Sequence, residues 1–265
     1  MFDFFKRRRI EAARARALTL DQRAVVARAV HLWRYLDERD RRELEGSIQV
    51  FLDQKGFEGA QGLVVTDEMR VTIAAQACLL LLHRETDVYP ELDTVVVYPH
   101  AYVAVATHYE GPVVVTGPEQ RLGESWTRGL VVLAWDEIAR DVRSVHSGHN
   151  VVLHEFAHQL DAEDGAVDGA PRLESRRRYV GWAHVLGDEY RVLGERLHAG
   201  RDSDIDAYGA TSPAEFFAVV TEEFFERSDV LRTRHPALYA ELASFFRLDP
   251  VALVDGAGVE RQGPS

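Results

Sequence analysis

Asn150-Val151-Val152-Leu153-His154-Glu155-Phe156-Ala157-His158-Gln159-Leu160-Asp161 is the stretch on which the reading of this chain turns. Inside it, His154 to His158 spells H-E-x-x-H. In that arrangement one helical turn holds a zinc ion and carries the base that activates its water. Side chains at i and i+4 share a helix face, with Cβ atoms roughly 5–6 Å apart, so two imidazoles can converge on one ion. Glu155 lies beside them and reaches a metal-bound water without being a ligand. The flanks agree with a helix. Leu153, Phe156, Ala157 and Leu160 recur at helical spacing and describe one core-facing side. Asn150 suits an N-cap, and the Asp161 to Asp168 stretch with Gly165 ends the segment.

Outward from this helix, the rest of the chain sets the fold class. From Leu18 to Leu82 the pattern is helical, with runs opening at Leu20-Asp21, at Asp40-Arg41 and near Asp67, and with Gly56, Gly59 and Gly62 punctuating the space before the third. Short β-branched runs follow: Thr94 to Tyr98, Ala101 to Thr107, Val113 to Val115 and Leu130 to Leu133. Helical patterns return over Ser175 to Leu197, Pro213 to Glu226 and Leu238 to Phe246. Helices, a small mixed sheet, the H-E-x-x-H helix and further helices predict a zincin-like α+β domain. The expected organisation is a flexible basic arm over 1–17, one peptidase domain over 18–250, and a flexible tail over 251–265.

Composition narrows the function. The 265 residues carry a net charge of −12, which argues against direct nucleic-acid binding. The basic run Lys6 to Arg9 is followed by Ile10-Glu11-Ala12-Ala13-Arg14, not by the apolar core of a signal peptide. No stretch of about 18 apolar residues predicts a transmembrane helix. Cys78 is the single cysteine and reads as a buried apolar residue, so the cytoplasm is the expected compartment.

A catalytic zinc needs a third protein ligand and an open position for water. A further histidine six residues beyond His158 would mark one zincin class, but Asp164 stands there. Asp161 is expected to orient an imidazole N–H from outside the ligand set. Farther on, Ser212-Pro213-Ala214-Glu215 opens a helix crowded with Phe216, Phe217, Val219, Val220, Phe224 and Phe225. Glu215 is therefore either a capping-box residue or a buried carboxylate that needs a cation. Glu222, two turns on, is a rival ligand or an orienting acid. The histidines at 100, 146, 149, 184 and 198 are not expected to be ligands, and Arg176-Arg177-Arg178 reads as a solvated helix face.

At these blocks the chain resembles the Mlc titration factor A family of gluzincin metallopeptidases. The resemblance runs from about Leu18 to Pro250 and is strongest over Asn150 to Asp161 and Ile205 to Val220, with Val97-Tyr98-Pro99 and Gly123 to Gly129 matching as well. The second block is also similar to the tyrosine- and glutamate-bearing helix of the anthrax lethal factor catalytic domain. Position by position, the resemblance implies that His154, His158 and Glu215 hold one zinc ion per chain. It implies that Glu155 is general base and acid, and that Tyr208 donates its hydroxyl to the substrate carbonyl. It further implies aminopeptidase activity on small peptide substrates, and binding to a transcriptional repressor of the Mlc type that relieves repression of sugar-uptake genes. Two other functions compete: a repressor-sequestering regulator with a regulatory zinc site, and a lethal-factor-like endopeptidase. By zincin analogy, the strand at Leu130 to Leu133 is expected to offer an edge to an extended peptide.

Overall fold

The computed structural model describes residues 2–84, 86–110, 113–121, 123–124 and 129–260; the side chains at 2–4, 6, 102–124 and 257–260 are outside that description. Four helices come first: α1 (Phe2–Arg14), α2 (Leu20–Ala29), α3 (Glu38–Gln54) and α4 (Asp67–Leu79). Each of the last three starts on a short polar side chain that accepts the amide of the third helical residue: Thr19 for Gln22, Asp37 for Asp40 and Thr66 for Met69. Those acceptors satisfy amides that have no carbonyl partner in the first turn.

Four strands make a sheet in the order β1 (Gly56–Gly59), β2 (Thr94–Tyr98), β6 (Leu130–Ala134) and β5 (Gly123–Glu124). The first three run parallel and β5 is antiparallel to β6, so the sheet is mixed. Strands β3 (Tyr102–Glu110) and β4 (Val113–Arg121) pair as a separate antiparallel hairpin. Strand β1 falls where only punctuating glycines were expected. Its Gly59 is required by a close backbone approach, because a Cβ there would lie 1.8 Å from the Leu63 carbonyl oxygen. The edge expected at Leu130 to Leu133 is not free: β2 pairs along one side of β6, and β5 covers Val132 and Leu133 on the other.

After β6 come α5 (Trp135–Arg143), α6 (Val151–Asp161), α7 (Arg176–His198), α8 (Pro213–Glu226), α9 (Ser228–Arg234), α10 (Pro236–Phe246) and α11 (Pro250–Glu260). The α+β class read from the sequence is the class observed. Helix α6 packs against α4, α8 and the β6 side of the sheet, and α8 packs against both α6 and α7. Phe156 anchors the α6 contact, fully buried with its ring 5.7 Å from Phe51 and 4.8 Å from Tyr89. Burying such a ring stabilises by about 1.5–3 kcal/mol relative to leaving it exposed. Helix α8 is buried on every side from Ala214 to Glu226, so its glutamates must find partners inside the protein.

Helical backbone is found in both terminal segments. Most of the 1–17 segment is helix α1, with Ala13 buried and with Arg9 and Arg16 each 2.8 Å from Asp53 on α3. The 251–265 segment begins as α11, where Asp249 Oδ1 accepts the Ala252 N–H at 2.9 Å and Pro250 is the first helical residue. That Asp-Pro start outweighs the helix-weakening Gly256 and Gly258. Residues 261–265 and Ser125 to Arg128, part of one matching block, lie outside the described residues. No helix among the described residues is long and apolar enough to cross a membrane.

Candidate metal centre

Two helix starts build the site. On α6, Asn150 Oδ1 accepts the Leu153 N–H at 3.1 Å and fixes the first turn, so His154 and His158 follow one above the other with ring centroids 5.0 Å apart. On α8, Ser212 Oγ accepts the Glu215 N–H at 3.2 Å. The Glu215 carboxylate does not turn back to complete a capping box. It crosses to α6, where Oε2 lies 2.9 Å from His154 Nε2 and 3.4 Å from His158 Nε2. One ligand atom from each of the three residues lies within 4.8 Å of the others.

The donor set fits a tetrahedral ion. Ligands at about 2.0–2.1 Å from a tetrahedral centre are separated by about 3.4 Å. The contacts of 2.9 and 3.4 Å sit at or just inside that edge length. Two imidazoles and one carboxylate form the set that leaves a fourth position for water or substrate. Glu155, on the same turn, is almost fully buried, and its Oε2 has no hydrogen-bond partner. A buried carboxylate oxygen without a donor is costly unless something arrives to bond it.

The charges follow from this crowding. Burial pushes the Glu155 carboxyl up to about 8; His154 opposes the shift, and the Glu215 and Glu222 carboxylates add to it. For Glu215, burial also pushes upward, but hydrogen bonds from His154 and His158 outweigh it and hold the group down at about 2. Burial alone would lower His154, yet the Glu222 and Glu215 carboxylates raise it well above the ordinary imidazole range. For His158 burial dominates, and its range falls.

Glu222 lies beside the cluster and meets His154 from the other side of the ring. Its Oε1 is 2.7 Å from His154 Nδ1, on the side of the ring away from Glu215. Asp161 does not orient an imidazole: its Oδ2 accepts the Gly169 N–H at 2.8 Å, and its Oδ1 has no hydrogen-bond partner. The turn after His158 swings the Asp161 carboxylate toward the 165–169 loop, which needs an acceptor for its inward amide.

Tyr208 stands on a short 3-10 turn, Ala207–Ala210, whose start is held by Asp206 Oδ1 accepting the Tyr208 N–H at 2.8 Å. Its ring centroid is 5.9 Å from that of His154, and the side chain is 55% exposed, so it belongs to a rim and not to the core. Four of the other histidines have partners elsewhere: His100 with Asp136, His146 with the Glu226 carbonyl, His149 with Asp206 and His184 with Asp188.

One further group was not foreseen. Ligand atoms of Asp40, Glu43 and His83 also lie within 4.8 Å of one another. His83 is some forty residues from its acidic partners, so no local spacing announces it.

The family model for glucose-regulated metallo-peptidase M90 matches residues 4–247 of this chain. An uncharacterized protein of Synechocystis sp. strain PCC 6803, slr2042, is 45% identical over 230 residues, covering 86% of this chain and 84% of that protein. Mlc titration factor A of Serratia proteamaculans is 33% identical over 236 residues, 85% of this chain and 87% of its own length. The protein of that name in Klebsiella pneumoniae is 32% identical over 246 residues, 89% and 90% of the two chains. The matched span runs through both helices that build the site, and the chain belongs to the glucose-regulated metallo-peptidase M90 family.

Proposed function

We propose that this metallopeptidase is a zinc-dependent aminopeptidase in which His154, His158 and Glu215 hold one ion and Glu155 moves the proton. The observation that supports it most directly is the convergence of three donor atoms within 4.8 Å beside a buried, unpartnered Glu155 oxygen. When bound, zinc supplies Lewis-acid polarisation of the scissile carbonyl and makes a water acidic near neutral pH.

The chain's own residues do the rest. Glu155 takes the proton from the attacking water and returns it to the leaving amine. A group held at about 8 by its surroundings, before a cation is present, gains much of its basicity from the dry pocket; a nearby cation moves it back toward the ionised form. Tyr208, exposed at the rim beside His154, donates its phenolic hydrogen to the oxygen that gains charge in the transition state. His158, almost fully buried, keeps its ring away from bulk water. The requirement for a free amino end comes from the family resemblance. Paired chromogenic substrates with free and blocked amino termini test it: equal turnover of the two would make the protein an endopeptidase.

Zinc analysis combined with turnover of free-amino amides, wild type against Glu155→Gln, tests the central claim. Loss of turnover with zinc retained is expected, and full turnover by the variant removes Glu155 from the mechanism. A second reading, binding to a transcriptional repressor of the Mlc type, is favoured by the name of the Serratia and Klebsiella relatives. Such binding can coexist with peptidase activity. A pull-down with purified repressor, repeated with Glu155→Gln, separates the two: binding that survives the substitution is independent of catalysis.

A further inference from the structure

Helix α8 carries three acids toward α6, and only Glu215 faces the donor cluster. Glu222 is buried, and no Lys or Arg among the described residues pairs with it. Its charge is instead met by two donors. Oε1 accepts from His154 Nδ1 at 2.7 Å, and Oε2 accepts the backbone N–H of Asn150 at 2.6 Å. One turn farther along α8, Glu226 Oε1 accepts from Asn150 Nδ2 at 3.0 Å. Asn150 itself caps the Leu153 N–H with Oδ1. The start of the site helix is thus gripped through its backbone, its cap side chain and its first histidine.

From this geometry we infer that Glu222 is a positioning residue that locks the start of α6 and the His154 ring to one another, so that metal affinity depends on both of its oxygens. The inference rests on the metal-centre reading above and deepens it. A carboxylate only accepts, so the Nδ1 facing Glu222 carries a hydrogen, and Nε2, which faces Glu215 in the donor cluster, is the nitrogen that would give up its hydrogen to an ion. The Asn150 amide lies four residues before His154, one helical turn away, so the second oxygen prevents that turn from rotating about the first contact. Both oxygens are spoken for on the far side of the ring, which is why Glu222 is not a ligand. A glutamine cannot replace it, because one end of the amide would set an NH2 against an N–H donor.

Zinc dissociation constants from competition with a chromophoric chelator, on the full chain, test the role. Glu222→Gln is expected to weaken zinc binding by about 10- to 100-fold, the usual range for a residue that holds a ligating imidazole. Affinity within twofold of wild type overturns the positioning role. Should the variant fold poorly, the 15N chemical shifts of the His154 ring in the zinc-loaded wild type decide instead: a protonated Nδ1 and a metal-bound Nε2 are expected, and the reverse pattern overturns it. A wild type that takes up no zinc overturns the metal-centre reading and this one together. Wild-type binding with an unaffected variant overturns this one alone.

Discussion

Two clusters in this molecule place histidine and carboxylate atoms within 4.8 Å of one another, His154/His158/Glu215 and Asp40/Glu43/His83. Only the first has the form of a metal site. Its three donor atoms come from two helices that share a buried contact, and each imidazole turns Nε2 toward the same carboxylate oxygen. In the second cluster His83 Nε2 lies 2.8 Å from Asp40 Oδ1, much as His154 Nε2 lies 2.9 Å from Glu215 Oε2, and Nδ1 is held 2.9 Å from the Arg247 carbonyl. The His83 backbone N–H is used as well, on Glu43 Oε1 at 2.8 Å. Arg39 and Arg84 line the same recess, a cavity of about 440 Å³, and repel a cation. Proximity of ligand types is therefore not sufficient. What counts here is whether donors from separate helices converge away from fixed positive charge.

The sharpest way to break that distinction is to remove donors from each cluster and measure bound metal. His158→Ala or Glu215→Gln should take zinc from about one ion per chain to close to none, while His83→Ala should leave the content unchanged. Metal loss from the His83 variant would reverse the two assignments. Next in size, Glu155→Gln should keep its zinc and lower turnover by about 10²–10⁴. Stopped assays with matched metal content would show it. Tyr208→Phe should then cost roughly 10²–10³ in turnover, the usual worth of one oxyanion donor, with the denaturation midpoint unmoved because the side chain is exposed. An unchanged rate would make Tyr208 a bystander.

The smallest expected effect concerns the second cluster and its pH dependence. Burial lowers the His83 imidazole, but the hydrogen bonds to Asp40 and to the Arg247 carbonyl outweigh burial and raise it, with the charges of Asp40 and Glu43 adding to the rise. Both acceptors want a hydrogen, so the imidazolium is the favoured form. A folded-state value above the unfolded one gives stability that is fully present below the unfolded value, about 6.5, and is lost as pH rises through the folded value. His83→Gln should therefore destabilise by about 1–3 kcal/mol at about pH 6 and by less at about pH 9. Urea midpoints of variant and wild type at the two pH values check the sign. A gap that does not shrink with pH would show that the cluster is held by contacts other than the charged ring.

Much of the site was legible before any coordinates, because a helix writes its geometry into sequence spacing. His154 and His158 had to share a face once Leu153, Phe156 and Leu160 made the segment a core helix, and Asn150 and Ser212-Pro213 marked where two helices begin. The 3.6-residue period settles such relations within one element. The apolar run from Phe216 to Phe225 likewise implied that α8 is buried and that its acids need partners. What spacing cannot settle is which faces of two distant helices meet. Whether Glu215 would cap its own helix or reach His154, and whether Glu222 would meet the cluster as a ligand or from behind an imidazole, depended on how α8 lies across α6. The same holds for the partial strand β1 and for the N-terminal helix, where pairing with β2 and contact with Asp53 supply what local propensity lacks. The candidate donors, the candidate base and the class of fold were thus legible in the sequence through local periodicity. The assignment of each carboxylate to its partner was decided only in three dimensions, because hydrogen bonds and Coulomb attraction act at contact distance and not along the chain.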